Sequence, residues 1–168
     1  MAAVTQTTAR AVLDTNVLVP SGLCRDLQNA AQEGMFIALW SPWIIAELNR
    51  VLTWKWLERT AQPASTRTDA ISYGLSGANW SRCTAAAAAM MEILVSTFEV
   101  VAPRPPYPEA WEGLTDPWDV PIWAAAVDGG AHFVVSDNKR DYPSRQEDGR
   151  HIHRGVEYLS GQDFLSRL

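Results

Sequence analysis

Apolar residues along this chain fall into two alternating rhythms. Short continuous runs, "RAVLD" (10–14), "MFIALWS" (35–41), "EVVAP" (99–103), "HFVVS" (132–136) and "VEYL" (156–159), have the length and apolar content of buried strands. Between them, longer stretches repeat at helical spacing. Ile44, Ile45, Leu48, Val51 and Leu52 share one face of a helix over "SPWIIAELNRVLTWKWLER", with Ser41 as N-cap and Pro42 at the first helical position. "TNVLVPSGLCRDLQNAAQEG" predicts a loop and a helix closed by Gly34, and "CTAAAAAMMEILVSTF" a helix leading into the third strand. Asp116 can cap a helix over "WDVPIWAAAVDGG", with Pro117 at its first position and glycine as its stop. Ser160 can cap a final helix, "GQDFLSRL". Residues 60–82 predict loop with a short helix over "TRTDAISYGL", and "RPPYPEAWEGLTD" predicts a proline-rich surface loop.

Strands alternating with helices imply a parallel sheet covered on both faces. The expected fold is α/β, a three-layer sandwich with a central parallel sheet of four to five strands flanked by helices. One domain over residues 1–168 is expected, with residues 1–9 as a flexible N-terminus. No internal repeat or domain boundary is visible.

Composition narrows the function classes. A chain of 168 residues is long enough to bury a core. "MAAVTQTTAR" lacks a charged region followed by an apolar one, and no apolar run is long enough to span a bilayer, so a cytoplasmic protein without membrane association is expected. Cys24 and Cys83 lie far apart with no metal-knuckle spacing and read as reduced, inert thiols. A net charge of −5 argues against a broad basic face for duplex DNA. It leaves nucleic acid possible, because a carboxylate cluster that binds metal makes the formal charge more negative than the working site.

The acids fall where such a cluster would form. Asp14 ends the first strand, and Ser136, Asp137 and Asn138 end the fourth. Glu47 and Asp119 stand near the starts of two helices. In a doubly wound sheet, strand C-termini and the N-termini of the following helices share one rim. Crowded carboxylates repel and become partly protonated unless a cation compensates them. Hard oxygen ligands suit Mg²⁺ or Mn²⁺, whose chemistry includes activating water against a phosphodiester with one or two ions. The chain offers no GxSxG, no GxxxxGK[ST], no GxGxxG after a strand, and no cysteine with a convincing histidine partner.

Three segments in order carry a family likeness. "AVLDTNVLV" resembles the opening strand of PIN-domain ribonucleases, "SPWIIAELNRVL" their second motif, and "DPWDVPIWAAAVDGGAHFVVSDNKRDYP" their third and fourth. The likeness runs from about residue 10 to 168 and is weakest over 60–82. The family includes VapC-type toxins of toxin–antitoxin pairs, metal-dependent nucleases that cut single-stranded or structured RNA and leave 5′-phosphate and 3′-hydroxyl ends. The resemblance implies that Asp14, Glu47 and Asp119 match the first three acids. Asn16 and Ser136 match polar residues that steady the first acid by hydrogen bonding. The fourth position falls on Asn138, a neutral ligand, and Asp141 or Asp137 can replace it, with Asp141 favoured by the family pattern. An RNA substrate, a small antitoxin protein and a homodimer follow as expected partners.

Each feature taken alone has an ordinary explanation: a turn at Asp14, a solvated helix face at Glu47, a cap at Asp116, the helix dipole at Asp119. Their order on matching elements favours the metal site. Lys139, Arg140 and, at lower rank, Arg25 are candidates to touch substrate phosphate. His151 and His153 have ligand-like spacing but no third partner and read as exposed loop residues. Trp40 and Trp123 read as core. Trp54 and Trp56 are too close in sequence to share one helix face, so at least one of Trp43, Trp54 and Trp56 should be exposed or in an interchain contact. The resemblance favours the contact over base stacking. Two further readings stand behind the nuclease: a non-catalytic PIN-like module that binds RNA or protein through a weakened acid cluster, and a distant third, a phosphatase-like enzyme with Asp14 as nucleophile.

Overall fold

The computed structural model describes residues 8–60, 78–104, 113, 114 and 116–168. The expected short helix over "TRTDAISYGL" lies outside the described residues, as does most of the loop "RPPYPEAWEGLTD". In chain order the elements are β1 (Ala9–Leu13), α1 (Thr15–Leu18), α2 (Gly22–Gln32), β2 (Phe36–Trp40), α3 (Pro42–Thr60), α4 (Ala78–Val95) and β3 (Glu99–Val100). A 3₁₀ turn (Pro117–Asp119) then leads into α5 (Val120–Asp128) and β4 (Phe133–Val135). A second 3₁₀ turn (Lys139–Asp141), β5 (Ile152–His153), β6 (Val156–Leu159) and α6 (Gly161–Leu165) complete the chain. Ala9 already pairs with Phe36, so the sheet begins inside the stretch expected to be flexible.

The sheet has six strands in the order β3-β2-β1-β4-β6-β5, parallel throughout except for the β5–β6 hairpin. This is the α/β arrangement the alternating rhythms predict, with one strand more than the expected four to five. The extra strand is β5, only two residues long. It returns into β6 through Arg154 and Gly155, both at positive φ (47° and 86°), which is the twist a tight hairpin requires. The exposed-loop reading of His151 and His153 is corrected here. His153 is buried, with its ring set edge-on to Trp123 at 5.4 Å, and His151 is half-buried with Nδ1 2.7 Å from the Pro143 carbonyl oxygen.

Ala11, Val12 and Leu13 are completely buried in succession, so β1 is covered on both faces. α5 packs on β1, β2, β4 and β6, while α2 packs on β2 and α6, and α3 packs against α4. Trp40 and Trp123 are in the core, as their apolar surroundings predict. Ser41 caps α3, its hydroxyl accepting from the Ile44 N–H at 3.4 Å, and Gly34 closes α2 at φ 73°. Among the described residues no helix is long and apolar enough to cross a membrane. The chain leaves β1 toward β2 on one side of the sheet and occupies β4 and β6 on the other, so the strand order reverses between β1 and β4. That reversal opens a crevice at the strands' C-terminal ends.

Candidate active site

Asp14 is the first residue beyond β1. Its N–H donates to the Val135 carbonyl at 3.0 Å, extending the β1–β4 pairing by one residue and setting Asp14 beside Ser136. With extended backbone (φ −70°, ψ 155°), Asp14 caps α1 through its own carboxylate, Oδ1 accepting from the Thr15 N–H at 2.6 Å. Oδ2 accepts from the Asn16 amide at 2.6 Å and from the Ser136 hydroxyl at 2.8 Å. Asn16 Nδ2 also donates to Ser136 Oγ at 2.9 Å, and Asn16 Oδ1 accepts from the Asp137 N–H at 2.8 Å. The two polar residues singled out beside Asp14 thus meet it directly, and they lock the end of β1 to the end of β4.

Glu47, one turn into α3, accepts the Thr15 hydroxyl on Oε2 at 3.0 Å. Asp119 ends the 3₁₀ turn whose cap is Asp116, accepting from the Trp118 N–H at 2.9 Å. Burial pushes the Asp14 carboxyl up to about 6, and the Glu47 charge adds to it against the hydrogen bonds from Ser136, Thr15 and Asn16. Burial likewise pushes Asp119 up to about 7, with further upward pressure from Asp14, Asp116, Asp141 and Glu47. Five carboxylates therefore feel one another here. Among the described residues, Asp14, Glu47 and Asp119 have no cationic partner.

An open groove of about 940 Å³ runs over this rim, with Asp14, Asn16, Glu47, Asp119 and Asn138 on its walls. Beneath it, a small recess joins Asp14 and Asp119 to Ser136, Asn138 and Asp141. Asn138 donates its amide to Asp141 Oδ2, and the Tyr142 hydroxyl donates to the Ser136 carbonyl, bracing the loop after β4. Asp137 does something else: its Oδ1 accepts the Gly161 N–H at 3.0 Å, tying the loop to the start of α6, and it does not line the groove. The three cations proposed for phosphate are also elsewhere. Lys139 is 3.9 Å from Asp163, Arg140 is an exposed neighbour of Asp141 at 3.4 Å, and Arg25 is exposed on α2. The cations that do line the groove are Arg50 and Lys55 of α3, beside Trp43 and Trp118. Their signal in the sequence was their spacing from Glu47, three and eight residues on, which puts them on or beside its face of the helix.

Among the described residues no three acids draw together into a closed metal-binding group. The donor set nevertheless suits a hard divalent cation. Asp14 Oδ2 is saturated by two donors, while Oδ1 receives one and keeps a lone pair. Mg²⁺ is commonly bound by one or two carboxylates with water in its remaining positions, so an open set of acids across a groove is compatible with it. Buried acids with elevated proton affinity and no cationic partner are the chemistry such an ion relieves.

A search of curated proteins finds no match for this chain. A family model described as PIN domain matches residues 10–140, which takes in β1, α3, α5, β4 and every acid on the groove wall. With that match spanning most of its length, the chain belongs to the PIN-domain family, whose members are generally nucleases.

Proposed function

We propose that this protein is a Mg²⁺- or Mn²⁺-dependent endoribonuclease, using one or two ions. The observation that carries the reading is the set of buried, mutually repelling carboxylates on the walls of an open groove. Asp14, Glu47 and Asp119 would hold the metal, with Asn138 or Asp141 completing its surroundings. When bound, such an ion lowers the pKa of water and neutralises charge that builds on the phosphate. The chain's own part is preorganisation. Thr15, Asn16 and Ser136 fix the Asp14 carboxylate in one orientation, and Thr15 fixes Glu47 against it, so neither acid has to reorganise as charge develops. The family likeness supports a narrower role as the cytoplasmic toxin of a toxin–antitoxin pair, a VapC-type homodimer blocked by a small antitoxin protein.

A second reading, a PIN module that binds RNA without cutting it, draws on two observations: no closed three-acid group among the described residues, and Asn138 in place of a fourth acid. The test is cleavage of a mixed RNA pool with Mg²⁺ or Mn²⁺, with and without EDTA, comparing wild type with Asp14→Asn. Metal-dependent cleavage that vanishes in the variant supports the nuclease. Cleavage that survives it removes Asp14 from the site. Folded, antitoxin-free protein that cuts with neither metal favours the binding module.

A further inference from the structure

Trp43 and Trp118 stack on each other with centroids 5.7 Å apart and planes 22° from parallel, on the wall of the acid-lined groove. Both rings stay open to solvent. Trp118 is 67% exposed although one of its faces meets Trp43, and Trp43 is 41% exposed. Large indoles are normally used to fill cores, and Trp40 and Trp123 do so here. Two that stack in the open beside charged groups make a preformed aromatic surface, already desolvated on its inner side.

The rest of the wall continues the pattern. Trp43, Glu47, Arg50 and Lys55 descend on or beside one face of α3, a span of ~18 Å from first to last. Arg50 and Lys55 are exposed, and among the described residues neither has a carboxylate partner. The groove thus runs from an aromatic platform, past the acids, to two free cations. An apolar ligand would not use the cations, and a simple anion would not use the indoles. A nucleic-acid strand uses both, through base faces and phosphates.

We propose that the Trp43–Trp118 pair is a stacking platform for one unpaired base of the strand being cut, and that Arg50 and Lys55 receive its phosphates on the other side of the acids. The inference rests on the nuclease reading and adds to it the residues that choose the substrate. A base can lie on Trp118 only if its own faces are free, so the groove selects single strands over duplex. The same pair would serve a contact between two copies of the chain, which is the rival the test separates.

The experiment titrates wild type, Trp118→Ala, Trp118→Phe and Arg50→Ala/Lys55→Ala with a fluorescent mixed-sequence single-stranded RNA and with its duplex, in EDTA. Circular dichroism checks folding and size-exclusion chromatography checks oligomeric state. Wild type should prefer the single strand. Trp118→Ala should weaken single-strand binding roughly 5- to 100-fold and Trp118→Phe far less. The double variant should weaken it too and flatten its dependence on salt by about one unit of logarithmic slope. Equal single-strand affinity of wild type and Trp118→Ala overturns the proposal, as does absence of binding by wild type or loss of a dimer in Trp118→Ala with affinity retained. Binding that depends on Trp118 in a protein that cuts nothing with Mn²⁺ retains the platform and overturns only the nuclease. Cutting that persists unchanged in Trp118→Ala, with unchanged affinity, overturns only the platform.

Discussion

The Thr15 hydroxyl donates to Glu47 Oε2 at 3.0 Å while the Thr15 N–H donates to Asp14 Oδ1 at 2.6 Å, so one residue orients two acids that stand on different elements. Thr15→Val keeps the shape and the N–H but removes the hydroxyl. It should cost about 1–2 kcal/mol of stability, since the lost bond is to a charged group. Metal affinity should fall roughly 10- to 100-fold, the usual effect of freeing a ligand from its orienting partner. Isothermal titration with Mn²⁺ measures the second effect; unchanged affinity would remove Glu47 from the metal's surroundings.

Asp14 at about 6 and Asp119 at about 7 both stand above the ordinary aspartate value of 3.8. The folded protein therefore binds protons more tightly than the unfolded chain. That contribution to stability is complete below the unfolded value and is lost as the pH rises through roughly 6 to 7. Metal-free protein should melt several degrees lower near pH 8 than near pH 5, and Asp14→Asn should reduce the difference. Mn²⁺ should restore the melting temperature near pH 8 and do little near pH 5, where protons hold the same oxygens. A metal-free melting temperature that climbs with pH across this window would contradict the assignment.

Asp137 and Asp141 separate by role. Asp137 Oδ1 anchors the Gly161 N–H, whereas Asp141 borders the recess with Asp14 and Asp119. Asp137→Ala should cost about 0.5–2 kcal/mol of stability, the usual loss for a helix-start acceptor. Asp141→Ala should lower metal-dependent cleavage at least 10-fold with little change in unfolding midpoint. Urea denaturation and initial rates on the same preparations decide it; the reverse pattern would make Asp137 the fourth acid.

A methyl group on Gly129 would lie 2.7 Å from Leu39 Cδ1, 2.8 Å from the Ala125 carbonyl oxygen and 2.9 Å from Val101 Cγ2. The carbonyl belongs to the backbone of α5 and cannot yield. Gly129→Ala should therefore lose about 1–3 kcal/mol, read as a lower urea midpoint at constant slope. A variant as stable as wild type would mean that α5 can shift relative to β2.

The main strands and helix starts were legible because they depend on local rules: apolar runs in β1, β2 and β4, and Ser41–Pro42 and Asp116–Pro117 at helix starts. Asp14 and Ser136 could be placed on one rim because topology alone brings strand ends together. β5 was not legible, since a two-residue strand has no period and is specified by the Arg154–Gly155 turn. Lys139 and Arg140 were misleading neighbours. A 3₁₀ turn rotates each successive side chain by about a third of a circle, so adjacency to an acid in sequence gives no shared direction. Arg50, Lys55 and Trp118 depended on which face of α3 borders the groove, and that is decided by packing against α1, α4 and α5.

The bond from Ser136 to Asp14 spans 122 residues of chain, and the bond from the Asp14 N–H to Val135 is nearly as long-range. During synthesis Asp14 and Glu47 leave the ribosome long before the segment that holds Asp14 in place. Until β4 slots in beside β1, the first acid has neither its hydroxyl donor nor its backbone anchor. Such non-local pairing comes late in folding, because a long loop must close first. A growing chain thus carries its acids past the ribosome's own RNA without a formed site. Its chemistry begins only once most of the chain has been made.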